Sequence, residues 1–134
     1  MTGGCLCGAV RYRITVEPTG TTLCHCEDCR KASGAPVVAW TFFPGAIQTL
    51  LTFEGREPRL LEFAGRQRTF CPCCGSPISF YDPTLPDQFE VTTCTLDDAW
   101  RMSPVDHNWV CDRLPWFDTI DDLPRHERET RTSG

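Results

Sequence analysis

Three tight clusters in this 134-residue chain hold seven of its ten cysteines at metal-ligand spacing, with Cys73 as an eighth inside the last. They are Cys5-Leu6-Cys7-Gly8, Cys24-His25-Cys26-Glu27-Asp28-Cys29 and Cys71-Pro72-Cys73-Cys74-Gly75, the last contributing Cys71 and Cys74 at CxxC spacing. Thiolates one or three positions apart converge on one small soft cation. They pair poorly with each other as disulfides, because neighbouring Cα atoms sit at the wrong separation and angle. The clustering therefore predicts zinc, and two sites rather than one.

The ligands divide unevenly. In the first and third clusters a glycine follows the cysteine pair, at Gly8 and Gly75. Such a glycine lets the backbone turn with positive φ, so that amide N–H groups face the sulfurs and offset their charge. Cys71-Pro72-Cys73-Cys74-Gly75 has the form of a zinc knuckle that needs a second half, and Cys5 with Cys7 matches it. The expected first site is Cys5, Cys7, Cys71 and Cys74, closed, tetrahedral and structural. Disulfides or free core thiols are the weaker alternative, and Cys73 is placed to substitute for Cys74. The second cluster offers Cys24, Cys26 and Cys29 within six residues, with no knuckle glycine. Three protein ligands with one open position is the pattern of a catalytic zinc. The competing reading is a second structural site completed by Cys94, Cys111 or His107. Otherwise Cys73, Cys94 and Cys111 read as free thiols.

Composition narrows the class. The length fits one domain, residues 1–124, with a polar tail over 125–134 (RHERETRTSG) that lacks apolar periodicity and is expected to fray. The net charge of −5 argues against nucleic acid as a partner. No basic-then-apolar leader and no apolar run of spanning length occurs, so neither secretion nor membrane insertion is expected. A cysteine-rich chain of this kind fits the reducing cytoplasm, where thiols bind metal or react.

Eleven prolines and ten glycines favour short strands and turns, and the pattern is mainly β. Strands are expected over residues 9–16, where apolar and polar residues alternate, and over 37–43, a continuous apolar run between prolines. Further strands are expected over 47–53, 59–63, 68–70, 78–81 and 89–96. One short helix is expected over 27–33, ended by Gly34, with helical turns near 97–99 and 121–123.

The ordered motifs carry a specific resemblance. Gly3-x-Cys5-x-Cys7-Gly8-x-Val10-x-Tyr12, then Cys24-His25-Cys26-x-x-Cys29-Arg30 running to Gly34-Ala35, then Phe70-Cys71-x-x-Cys74-Gly75, are followed by His107 and Leu114-Pro115-Trp116. This order resembles the glutathione-dependent formaldehyde-activating (GFA) family and the related centromere-protein-V-like domains, over about residues 3–124. The resemblance implies a β-tent of twisted antiparallel sheets. It implies a structural zinc on Cys5, Cys7, Cys71 and Cys74 and an active-site zinc on Cys24, Cys26 and Cys29. It also implies a carbon–sulfur lyase resembling S-(hydroxymethyl)glutathione synthase, which joins a thiol such as glutathione to formaldehyde or another small aldehyde. Cys73 inside the knuckle, Asn108-Trp109 after His107, and Cys111 depart from the family pattern. A non-catalytic zinc-scaffolded module, carrying glutathione or binding protein, is the alternative reading.

Three residues are candidates for substrate contact. Arg30 offers a bidentate fork to a carboxylate, against a solvated helix face. His107 reads equally as a pocket acid/base or a structural histidine, beside the aromatic end that holds Trp116. His25, between two ligands, points away from the metal in extended backbone and reads as a packing or hydrogen-bonding residue. Trp40 and Phe42 read as core.

Overall fold

The computed structural model describes residues 1–129. Ten strands and two short helices lie among them: β1 (Thr2–Gly4), β2 (Val10–Ile14), β3 (Gly20–Cys24), α1 (Glu27–Ser33), β4 (Val38–Pro44), α2 (Ile47–Leu50), β5 (Leu51–Gly55), β6 (Arg59–Phe63), β7 (Arg66–Phe70), β8 (Pro77–Tyr81), β9 (Gln88–Thr92) and β10 (Asp106–Asn108). The fold is mainly β, as the sequence predicts. One sheet has three strands in the order β1-β2-β5, and the other has seven in the order β10-β3-β4-β9-β8-β7-β6. All pairings are antiparallel except β10 with β3, which is parallel.

Residue chemistry explains why β4 is central. In a strand, successive side chains face opposite sides. In β4, Thr41 and Phe43 point one way and Trp40 and Phe42 the other, and all four are buried. A strand covered on both faces reads as the continuous apolar run seen here. Phe43 joins Tyr12, Ile14, Ile78, Phe89 and Val91 in a core shared with the three-stranded sheet. Cys5 and Cys71 belong to this same core. Trp40 and Phe42 join Cys24, Cys29 and Val38 in a second cluster on the opposite face. Across the first face, Thr41 Oγ1 lies 2.9 Å from both Thr21 Oγ1 and Thr93 Oγ1, so the buried hydroxyls satisfy one another.

Several expected elements shift. The segment 47–53 divides into α2 and β5, because Thr49 and Leu50 return hydrogen bonds to Ala46 before the chain extends. The strand expected over 89–96 ends at Thr92, where Thr95 Oγ1 bonds the Thr92 carbonyl and tightens Thr93–Thr95 into a 3₁₀ turn. The turn near 97–99 falls at Ala99–Arg101, and 121–123 forms no helix. β1, β3 and β10 carry too few apolar residues to read as strands from sequence. The expected fraying from residue 125 is not seen over 125–129. His126 N–H donates to His107 O, and Val110 and Cys111 N–H donate to His126 and Glu127 O, so this segment covers the outer edge of β10. The rest of that expectation, 130–134, lies outside the described residues. Among the described residues no helix is long and apolar enough to cross a membrane.

Two predictions follow from this packing. Phe43 is fully buried and its ring stacks on Phe89 at 5.4 Å. Phe43→Ala should cost about 3–5 kcal/mol, read as a lowered urea midpoint. A loss below about 1 kcal/mol would place the shared core elsewhere. Asp97 accepts hydrogen bonds from Arg11 Nη1 and Thr2 Oγ1 at 2.9 and 2.6 Å, which pull its carboxyl down to about 2. A depressed folded pKa stabilises above the unfolded value and loses that effect as pH falls. The pair is 43% exposed on each side, so Asp97→Asn should cost less than about 1 kcal/mol at pH 7. That difference should shrink as pH drops from about 4 towards about 2 in urea titrations.

Candidate functional site

The first cysteine group is built by two turns that present sulfur and amide together. Gly8 and Gly75 both have φ of 78°, the left-handed conformation expected of knuckle glycines. Gly8 N–H closes onto Cys5 O and Gly75 N–H onto Cys71 O, at 3.1 and 2.9 Å. Val10 N–H points at Cys5 Sγ at 3.3 Å, and Cys73 and Cys74 N–H point at Cys71 Sγ at 3.3 and 3.5 Å. The Ser76 hydroxyl and amide, with the Cys7 amide, bring the Cys74 thiol down to about 5. The sulfurs of Cys5, Cys7, Cys71 and Cys74 all lie within 4.8 Å of one another. Cys5 to Cys7 is 3.6 Å and Cys7 to Cys71 is 3.8 Å. A zinc–sulfur bond near 2.3 Å gives a tetrahedral edge of about 3.8 Å, so this donor set fits such an ion. Cys73 is exposed and stands outside the group.

The second group occupies the opposite face of the seven-stranded sheet. Cys24 ends β3, and His25 N–H holds the next step against β10 through Asn108 O at 3.0 Å. Cys26 is the N-cap of α1, and its sulfur accepts the Cys29 N–H at 3.3 Å. The helix therefore starts because the ligand loop caps it, and it brings Cys29 back towards Cys24. It ends at Gly34, as the sequence predicts. The three sulfurs lie within 4.8 Å of one another. Hydrogen bonds from the Cys24 and Cys26 thiols, together with the Arg68 guanidinium, push Cys29 down to about 2, while the same sharing pushes Cys24 up. Three converging sulfurs, with Cys29 favoured as the thiolate among them, suit a soft cation. Among the described residues no fourth Cys, His, Asp or Glu joins the group. The candidates Cys94 and Cys111 are exposed elsewhere, and His107 is engaged otherwise.

All three cysteines line a cavity of about 470 Å³. Its floor is the sheet face that carries Thr22, Trp40, Phe42, Phe80, Glu90 and Arg68. These residues recur because the pleat repeats every second residue and the register aligns Arg68, Phe80, Glu90 and Phe42 across four strands. Trp109 contributes to the wall from the turn after β10, where its φ is 58°. Arg68 Nη2 lies 3.9 Å from Cys29 Sγ.

The substrate-contact residues expected from the sequence lie elsewhere. Arg30, His107 and Trp116 do not line this cavity. Arg30 turns back along α1, its Nε 3.4 Å from His25 O. Trp116 is exposed and packs edge-on against Phe117. His107 is 1% exposed and forms the middle of a buried chain. Its Nδ1 lies 2.9 Å from His25 Nε2, and its Nε2 lies 3.2 Å from the Asp121 carboxylate. Hydrogen bonds from Thr119, the Leu123 amide and His107 hold the Asp121 carboxyl well below the usual range. An ionised Asp121 accepts from His107 Nε2–H, so His107 Nδ1 accepts from His25 Nε2–H. Burial pushes His25 down to about 4, which keeps its ring neutral. This chain braces the Cys24–Cys26 segment from behind, the hydrogen-bonding role expected of His25. Trp40 and Phe42, expected as core, are both core and cavity floor. Arg66, Arg68 and Trp109 were not legible as site residues. Only the pairing of β7 through β8 and β9 to β4 brings the two arginines to the cavity, and Arg68 to Cys29.

Comparison with known proteins places the chain in a family. The profile of the family described as glutathione-dependent formaldehyde-activating enzyme matches residues 1–112. A Halomonas elongata protein named for the same activity is 29% identical over 109 residues, covering 76% of this chain and 69% of its own. An uncharacterized lyase of Schizosaccharomyces pombe is 27% identical over 78 residues, covering 58% of this chain and 55% of its own length. The crystal structure of a Rhodobacter sphaeroides protein shares the fold, with a TM-score of 0.58 and 22% identity over 72% of this chain and 88% of that one. With its two cysteine groups in the positions that the motifs require, the chain belongs to the glutathione-dependent formaldehyde-activating family.

Proposed function

We propose that this protein joins a low-molecular-weight thiol, glutathione or a similar one, to formaldehyde or another small aldehyde, in the manner of a carbon–sulfur lyase working towards synthesis. The family membership supports formaldehyde-directed chemistry of the lyase type. The observation that carries the finer reading is the unequal pair of cysteine groups. One has four sulfurs, two of them in the core, and the other has three sulfurs that open on a cavity.

In this reading zinc occupies both groups. Cys5, Cys7, Cys71 and Cys74 hold a structural ion, and Cys24, Cys26 and Cys29 hold the second. Zinc at the second group would supply positive charge that lowers the pKa of an incoming thiol, so that the sulfur arrives as a nucleophile near neutral pH. In the reaction a carbon–sulfur bond forms, the carbonyl π bond breaks, and the thiol proton is replaced by one on the resulting hydroxyl. The chain's own residues concentrate and orient the two reactants. Trp40, Phe42, Phe80 and Trp109 provide apolar walls that displace water around the aldehyde carbon. Arg68, beside Cys29, offsets negative charge that three thiolates and an incoming fourth would accumulate. A non-catalytic scaffold would instead call for two closed sites, and the three-sulfur group argues against it.

The two groups should respond differently to substitution. Cys26→Ser should lower thiol-dependent formaldehyde consumption at least about 100-fold while circular dichroism and the melting transition remain close to wild type. Cys74→Ser should instead lower the melting temperature sharply, because it removes a ligand of the ion that joins the two sheets. Wild-type turnover in Cys26→Ser would refute the proposed site.

A further inference from the structure

The thiol–aldehyde reading uses the Trp40 ring as a wall and the Arg68 charge beside Cys29, and it assigns no ligand acceptor to the N–H donors of either side chain. Trp40 is 3% exposed, and its indole Nε1 is buried without a hydrogen-bond partner. A buried N–H left unmet is costly, and native folds seldom tolerate it unless a ligand or water completes it. Trp40 lines the cavity, so its indole borders any ligand held there. The Arg68 guanidinium carbon lies 6.0 Å from the Trp40 ring centre and 4.8 Å from that of Phe80. With Nη2 against Cys29 Sγ, these contacts fix the guanidinium between an aromatic floor and the three-cysteine group. Arginine has five N–H donors, and the sulfur contact uses one of them.

The acceptor that suits an indole N–H beside a fixed guanidinium is a carboxylate. It has two oxygens with about four lone-pair sites, it accepts the planar fork, and its charge strengthens each bond. A lone carbonyl or hydroxyl oxygen matches the geometry less fully. The same lining carries Glu27, Asp28, Asp82, Glu90, Asp112 and Glu129, which repel a doubly charged phosphate more than a singly charged carboxylate. Those acids favour an ammonium group on the part of the ligand that faces them.

We propose that Trp40 and Arg68 form a carboxylate subsite beside Cys24, Cys26 and Cys29, and that the thiol substrate carries a carboxylate a few bonds from its sulfur. This inference rests on the thiol–aldehyde reading and narrows its substrate class to mercapto-carboxylates, amino-acid-like ones included. A substrate sulfur directed to the cysteine group leaves only a short span for its carboxylate to reach Arg68. The subsite therefore selects by the spacing of sulfur and carboxylate as well as by charge.

The test compares two thiols of nearly equal shape, 3-mercaptopropionate and 3-mercaptopropionamide, by calorimetric titration into the zinc-loaded full chain. The carboxylate should bind at least about tenfold tighter, and Arg68→Met should remove most of that preference. Arg68→Lys keeps the charge without the fork and should retain part of it. Trp40→Phe should weaken carboxylate binding several-fold. It should also identify by its loss the indole N–H resonance that shifts in the wild type when 3-mercaptopropionate is added. Equal affinity for the two thiols in the wild type would overturn the subsite while leaving the thiol reading in place. Undiminished preference in a folded Arg68→Met protein would do the same. Failure of both thiols to bind would overturn the thiol reading itself, and the subsite with it.

Discussion

The contact between Cys7 and Cys71 joins segments 64 residues apart and sets the frame for the rest of the molecule. Thiolates brought this close would repel one another, and a cation held among them would remove that repulsion, so the turn geometry suits a metal ion. The turn from Cys5 to Val10 leads into β2, and the turn from Cys71 to Ser76 leads into β8. Tying these two turns together fixes the three-stranded sheet against the seven-stranded one. The amides aimed at Cys5 and Cys71 would offset negative charge on these sulfurs in a largely apolar core.

From that frame, β4 divides the molecule into a structural side and a chemical side. Phe43 and Thr41 complete the packed interior, while Trp40 and Phe42, one residue out of phase, floor the cavity. The same alternation in β3, β9 and β7 brings Cys24, Glu90 and Arg68 to the cavity face. The second cysteine group thus rests on rigid strands along one side and on the capped start of α1 along the other. Behind it, His25, His107 and Asp121 form a buried relay of hydrogen bonds that links the ligand segment to the chain after β10. Residues 124–127 lie beside β10 and hold that relay in place, so the polar tail contributes to the support of the site.

Much of this was legible in the sequence because it depends on local spacing. The four-plus-three division of sulfurs, the positive-φ glycines at 8 and 75, and α1 ending at Gly34 each follow from neighbours a few residues apart. The alternation in β2 and the doubly buried run in β4 are local as well. What escaped depends on long-range pairing. β10, Asp106-His107-Asn108, has no apolar residue, and it is a strand because β3 and the tail satisfy its backbone on both sides. Arg30 looked like the anion-binding residue because it adjoins Cys29 in sequence. Arg68 is the arginine that lies beside Cys29 in space, through a register spanning β7, β8, β9 and β4 that no local pattern encodes. His107 reads equally as a pocket or a structural histidine in the sequence, and the carboxylate partner that supports the structural role, Asp121, sits 14 positions away.

The account turns on one metal ion being fully enclosed by protein sulfur and the other keeping a position for a thiol. Zinc content combined with X-ray absorption at the zinc edge tests this directly. Two ions per chain with a mean near 3.5 sulfurs, rising towards 4 when a small thiol is added, is the predicted result. Cys26→Ser should reduce the content towards one ion with four sulfurs. Two ions with four protein sulfurs each before any thiol is present, or a sulfur count that ignores added thiol, would contradict the account.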